Sequence, residues 1–267
     1  MIRNIIRLIP GLGWEIQLVQ RYMLEGFFAI LNTEAVALIE LIFCVTFMLM
    51  LLKYFGAYGL YVYITVISIV ANIQNLRVVN YLFMADPMVL GTITFSTMFI
   101  AGNLMTEYYG PIVARRGVLA SVFGYGMFSF LMLTTSCYPV GQNVPSGVLD
   151  MCAELKQVFT PVPYLFVASV LALMIAQYTN VAIYAAVKHV TPARFMWIRS
   201  FVSLTLSIFV DGVVYAILAW KVFYALPIDW GTLFKTYVLR NYVLSVLILW
   251  CSSPVVCLAE KFIPEDR

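Results

Sequence analysis

Between residues 199 and 211 the chain carries Arg199, Ser203, Ser207 and Asp211, one polar residue every fourth position in an otherwise apolar stretch. At helical pitch this spacing sets a cation, two hydroxyls and an anion along one side of a helix. Comparable groups recur upstream. Glu107 follows Asn103 by one turn, Gln177, Asn180 and Tyr184 are three and four apart, and Asn72 and Asn75 are three apart. A carboxylate can accept two parallel N–H bonds from an amidine-like edge. Asn and Gln can read an adjacent donor and acceptor, and aromatic rings stack on a flat face. The set therefore suits recognition of a small, flat, hydrogen-bonding solute, and by itself says no more than that.

Each element also has a plainer reading. Ser203 and Ser207 can bond their own backbone, Asn72 and Asn75 can tie helices together, and Asp211 can pair with Arg199 or another arginine. Arg115, Arg116 and Arg194 fit topology determinants, Trp197 and Tyr109 fit interface anchors, and Glu40 fits a side chain snorkelling outward. Glu107 and Asp211 weigh more. An ionisable group within a bilayer costs on the order of 2–3 kcal/mol on insertion scales, so it usually faces an interior cavity. Catalysis lacks its parts: His189 is the single histidine, the five cysteines form no C-x-x-C, and no Ser–His pair, Asp dyad or zinc motif is visible. The expectation is a protein that is not an enzyme and uses no metal or cofactor.

The elements that position these groups must lie in lipid. Of 267 residues 63% are hydrophobic and 11% charged, against roughly 45–50% and about 25% in soluble domains. The net charge of +3 is scattered singly at the ends of apolar runs, which points to membrane loops and away from nucleic acid. Continuous apolar runs do not alternate as barrel strands do, so the fold class is all-α, a polytopic bundle. Seven spans are expected, at 34–52, 58–79, 88–108, 117–137, 162–187, 198–220 and 238–259. Residues 1–32 read as an amphipathic interfacial helix or a packed cap, 33–263 as a single transmembrane domain and 264–267 as a tail. Past the N-terminal segment, lysines and arginines number eight on one side (Lys53, Arg115, Arg116, Lys188, Arg194, Arg199, Lys261, Arg267) and five on the other (Arg77, Lys156, Lys221, Lys235, Arg240), a margin that vanishes if Arg3, Arg7 and Arg21 are counted with the five. That count puts the C-terminus in the cytoplasm. In the long loop 138–160, which then faces outward, Cys137 and Cys152 can form a disulfide or stay free thiols.

Five stretches, in this order and spacing, carry a resemblance: LYVYITVISIVANIQNLRVV, LGTITFSTMFIAGNLMTEYYGPIVARR, AQYTNVAIY, WIRSFVSLTLSIFVDGVVYAILAW and SSPVVCLAEKF. Over roughly residues 31–263 the chain resembles the vitamin uptake transporters, also called queuosine-precursor transporters. The resemblance implies a six-helix core, spans two to seven, related in architecture to the substrate-binding subunits of energy-coupling-factor transporters. It also implies import of 7-deazaguanine bases across the bacterial cytoplasmic membrane for queuosine salvage, without an ATPase. Glu107, Gln177, Arg199, Ser203, Ser207 and Asp211 match the family's pattern. The chain departs from it at Gly102-Asn103, where the family has Thr-Asp, and at Asn180, where it has Asp. It departs again at Ser200-Phe201, Ile208 and Gly212.

Set against the family's pattern, two carboxylates fewer would weaken binding of a cationic aminomethyl base; the change could favour the neutral cyano base or a larger product such as queuine, or equally remove a proton-carrying group. The expected site comprises Asn72, Asn75, Asn103, Glu107, Gln177, Asn180, Arg199, Ser203, Ser207 and Asp211, with a small-molecule base and the lipid bilayer as partners and self-association left open. Two other readings stand beside it. One is a binding subunit needing a separate ATPase module, docked through the small-residue ridge Ala168, Ala172 and Ala176. The other is a structural membrane subunit that transports nothing.

Overall fold

The computed structural model describes residues 32–80, 88–141, 144–159, 163–192, 195–223, 229–239, 242–243, 245–248 and 259–262. The expected N-terminal interfacial helix, most of the seventh span and the tail lie outside them. Six α-helices carry the described architecture: α1 (Thr33–Gln74), α2 (Thr92–Tyr108), α3 (Pro111–Cys137), α4 (Ser146–Phe159), α5 (Pro163–Val190) and α6 (Met196–Ala216). The all-α bundle expected from composition is what the chain forms. Four of these helices, counting α1 once, are long and apolar enough to cross a membrane.

α1 is two spans. At Gly56 the backbone turns to φ 56°, ψ −133°, a conformation open to glycine and strained for residues with a Cβ. On a straight helix residues 40 and 74 would be roughly 50 Å apart, yet Gln74 Nε2 donates to Glu40 Oε1 at 2.6 Å. The chain therefore folds back at Gly56, and arms 33–55 and 57–74 pack antiparallel through Met48, Leu52, Leu60 and Ile64. These arms are the first two expected spans, separated where the sequence predicts.

Two expected boundaries shift. The second span stops at Gln74, and the third starts at Thr92 instead of residue 88, because Val78–Val79 (β1) pairs antiparallel with Met88–Val89 (β2). This two-residue ladder satisfies backbone groups between the helices. α2 then runs through the middle of the bundle. Every residue from Thr92 to Thr106 is buried except Phe95. Its length, about 26 Å at helical rise, is short for a bilayer, and neighbouring helices surround it instead. Gly110 (φ 89°) and Pro111 at the first turn of α3 end α2 as the sequence predicts.

Close packing rests on small residues. A Cβ at Gly117 or Gly124 of α3 would stand 2.7 Å from Met105 Cε or 2.3 Å from Thr65 Cγ2. Ala168, Ala172 and Ala176 of α5 are buried inside the bundle. The alanine ridge is thus an internal packing face, not the exposed docking face one reading required. The long loop contains α4, an unexpected helix of 14 residues. Val148, Leu149, Met151 and Leu155 stand exposed on it while Phe159 meets Phe128 edge-on, the arrangement of a helix lying along an interface. Cys137 and Cys152 are free thiols. Beyond Ala216, α6 continues as a π-helical segment, Ile217–Phe223.

Candidate functional site

Three helices meet along a polar seam. α2 and α5 rise toward one end of the bundle and α6 starts there, so a residue late in the first two lies level with one early in the third. The seam has layers one helical turn apart. In the end layer Glu107 of α2 faces Tyr184 and Lys188 of α5 and Arg199 of α6. Arg199 Nη1 donates to Glu107 Oε1 at 3.1 Å and Oε2 at 2.9 Å, the Tyr184 hydroxyl donates to Oε2 at 2.8 Å, and Lys188 Nζ lies 3.5 Å from Oε2. Lys188 Nζ also donates to the Glu107 main-chain oxygen at 2.5 Å, and Arg199 Nη2 to the Pro192 oxygen at 3.1 Å.

Arg199 is 2% exposed and Glu107 13%. An ion pair this enclosed persists only when the hydrogen bonds of both partners are largely met, which these contacts achieve. Arg199 was counted above among loop cations. Buried and paired with Glu107, it drops out of that count, and eight against five becomes seven against five.

One turn deeper, Asn103 Nδ2 donates to Ser203 Oγ at 3.1 Å, joining α2 to α6. Asn180 of α5 reaches α2 only through a long bond from Nδ2 to the Phe99 oxygen at 3.4 Å. Ser203 and Ser207 donate to backbone oxygens of their own helix, Ser200 at 3.1 Å and Ser203 at 2.6 Å. Deeper still lies Gln177. Both its amide atoms are buried without a hydrogen-bond partner, as is Asn180 Oδ1. Gly102 faces them: a Cβ there would stand 3.2 Å from Gln177 Oε1 and 3.4 Å from Asn180 Nδ2. A buried polar group without a partner costs about 1–3 kcal/mol, so an amide unpaired at both its atoms inside the bundle invites a ligand.

Seven of the ten expected site residues thus meet: Asn103, Glu107, Gln177, Asn180, Arg199, Ser203 and Ser207. Three lie elsewhere. Asn72, in the second arm of α1, accepts from Ser169 Oγ at 2.6 Å and donates to the Ser68 oxygen at 2.8 Å, which is the helix-tying role. Asn75 is exposed at the end of that arm. Asp211 sits three turns from Arg199, about 18 Å along α6, and a four-residue step drifts 40° each time, so it is about 120° round the helix. A cavity beside Phe209, Asp229, Lys235 and Val238 contains none of the seam's residues.

The structure adds groups that sequence reading passed over. Lys188 continues the stripe of Gln177, Asn180 and Tyr184 at a spacing of four, a signal hidden by its place at the helix end. At the opposite end of α2, the Thr94 hydroxyl lies 2.7 Å from Glu40 Oε1 and 2.6 Å from Gln74 Oε1, with one proton to share between them. Glu40 does not snorkel; it ties the two arms of α1 to α2. Among the described residues no group of three or more His, Cys, Asp or Glu side chains is placed to hold a metal.

A family model described as "Putative vitamin uptake transporter" matches residues 89–259, a range that takes in α2 to α6 and every residue of the seam. The chain is 28% identical over 225 residues to the "Probable queuosine precursor transporter" of Bacillus subtilis (strain 168), covering 83% of this chain and 93% of that one. No solved structure matches.

Proposed function

The chain belongs to the vitamin uptake transporter family, and from that premise we propose that it is a secondary-type importer of a 7-deazaguanine queuosine precursor, or of queuine, across a bacterial cytoplasmic membrane. The product would enter tRNA queuosine salvage. The name borne by the B. subtilis relative supports the substrate class. The observation that carries the reading is the buried, unpaired amide of Gln177 beside Asn180 Oδ1, a donor and two acceptors at the depth where a base would be held.

In this reading Asn103, Gln177, Asn180, Ser203 and Ser207 line the base site in a single transporter domain over 33–263. Glu107 and Arg199, with Tyr184 and Lys188, close one end of the seam. The seam is occluded, so α5 and α6 must part from α2 for a base to enter, and the ion pair is the contact that would break. Beyond residue 32 the excess of Lys and Arg, seven against five once Arg199 is removed, supports a cytoplasmic C-terminus, which would turn the Glu107 end inward. Burial of the alanine ridge favours transport without an ATPase module.

Restoration of queuosine in tRNA tests the reading. The chain is expressed in a bacterium that makes no queuosine, lacks its own importer and carries the insertion enzyme for the base supplied. Modified tRNA is read by its shifted migration in a boronate gel. Restoration with a base at nanomolar concentration is expected. Its absence for every candidate base, with the protein confirmed in the membrane, would overturn the reading.

A further inference from the structure

At the end of the bundle opposite Glu107 the chain turns back from α6 toward the seventh span. Leu233 and Val238 form one buried cluster with Ala216, packed on Val213. A Cβ at Gly212 would touch Val238 at 3.5 Å, and Phe209 meets Tyr242 edge-on at 5.5 Å. The two limbs therefore run antiparallel, with Leu233 level with the end of α6 and Tyr242 level with Phe209. Near the turn both are π-helical, over Ile217–Phe223 and Leu233–Leu239, a rare winding found often at functional sites.

Between the limbs lies a cavity of about 550 Å³ whose lining is graded along them. Asp229, Thr232 and Lys235 stand nearer the turn, and Phe209, Val238 and Leu239 lie further from it. Phe209 and Leu239 are exposed at its edges, so it opens on the lipid-facing surface. Lys221 Nζ sits 4.9 Å from the centre of the Trp230 ring beside the turn, and a tryptophan so placed marks the boundary between membrane and water. The polar end is thus at headgroup depth and the apolar end in hydrocarbon.

Among the described residues the lining holds one acid and one cation. Asp229 Oδ2 accepts from the Gly231 N–H at 2.8 Å and caps the turn that starts at Trp230, which leaves Oδ1 open. No described residue pairs with Lys235. Six residues separate the two, at most roughly 9 Å along a helix axis. A phosphate joined to an ammonium by an ethylene bridge complements that pair. Its N–H donates to Asp229, and its phosphate oxygens accept from Lys235 and the Thr232 hydroxyl. The lysine stem lies along apolar lining while its head reaches the polar level. An anionic headgroup would face the Asp229 charge, and a trimethylammonium group has no N–H to give.

We infer that this groove binds one phospholipid with a zwitterionic, primary-ammonium headgroup, its acyl chains running along Phe209, Val238 and Leu239. The site lies beside the helix that moves in the transport reading but uses none of the seam's residues, so it stands or falls apart from that reading.

The test titrates the purified full-length chain in detergent with phosphatidylethanolamine, phosphatidylcholine and phosphatidylglycerol of identical acyl chains. Lipid retained per chain is counted by native mass spectrometry. One phosphatidylethanolamine is expected, half-saturating at about fivefold lower concentration than the other two, the ratio given by about 1 kcal/mol for a partly exposed ion pair. Asp229→Asn keeps an oxygen for the Gly231 N–H, and should erase the preference for ethanolamine over choline with the melting temperature unchanged. Lys235→Met keeps the stem and should weaken all three lipids. Equal retention of the three by the wild-type chain would overturn the inference. A preference that survives Asp229→Asn, retention untouched by Lys235→Met, or a second copy of the chain covering the groove in place of lipid would do the same.

Discussion

Glu107 and Glu40 are carboxylates placed at opposite ends of α2, about 20 Å apart by helical rise, and the bundle treats them differently. Glu107 is held by two cations and a phenol from two other helices, with unpaired amides a turn or two below it. Glu40 is held by an amide and a hydroxyl from its own hairpin and α2, with no cation among the described residues it contacts. One end concentrates charge around polar atoms that have no partner. The other closes a small circle of carboxylate, amide and hydroxyl in which the described polar groups serve one another. The contrast separates a region organised for something absent from a region organised for the fold, and substitutions can sharpen or break it.

The largest effect belongs to Glu107→Gln. The substitution removes the counter-charge of Arg199, and breaking a buried ion pair from one side costs about 3–5 kcal/mol. Uptake should be abolished and the melting temperature in detergent should fall, with the protein still in the membrane. Undiminished uptake would take Glu107 out of the transport cycle and erase the contrast between the two ends.

Gln177→Leu comes next and moves function and stability apart. An unpaired buried amide is a standing cost of about 1–3 kcal/mol, which leucine, of similar size, removes. Uptake should fall about tenfold, as expected for losing one bidentate contact worth roughly 1.4 kcal/mol, while the melting temperature stays level or rises. A fall in both would show that the amide serves the fold, and would leave the seam without its carrying observation.

Much of this was legible in the sequence, for identifiable reasons. Apolar runs gave the helices, and the break before residue 58 gave the reversal that Gly56 executes. Gln177, Asn180 and Tyr184 were visible as a stripe because steps of three and four average close to the helical repeat. The stripe Arg199, Ser203, Ser207 and Asp211 turns away from the seam towards its far end, since constant steps of four wind slowly round the helix. Lys188 was hidden by position: at a helix end beside His189 it looks like a loop charge. The contacts of Glu40 with Gln74 and Thr94 span 34 and 54 residues and depend on hairpin register, which no local pattern encodes. α4 was missed because 14 residues of mixed character between spans are too few to read as a crossing.

The smallest effect is expected from Glu40→Gln, and it probes the comparison from its quiet side. The amide keeps an oxygen where Glu40 Oε1 accepts from Gln74 Nε2 at 2.6 Å and meets the Thr94 hydroxyl at 2.7 Å. Its NH2 adds a donor to a circle in which one Thr94 proton faces two acceptors. A neutral hydrogen bond contributes about 1 kcal/mol net, so the melting temperature should shift little, and uptake should stay close to wild type. Glu40→Leu strips the acceptor from Gln74 and Thr94 and should lower stability by about 1–3 kcal/mol, again with transport following only the amount of folded protein. The informative failure is loss of uptake in Glu40→Gln with melting unchanged. That result would mean the carboxylate's charge, not its oxygens, is used, and the Glu40 circle would become a second working end of α2.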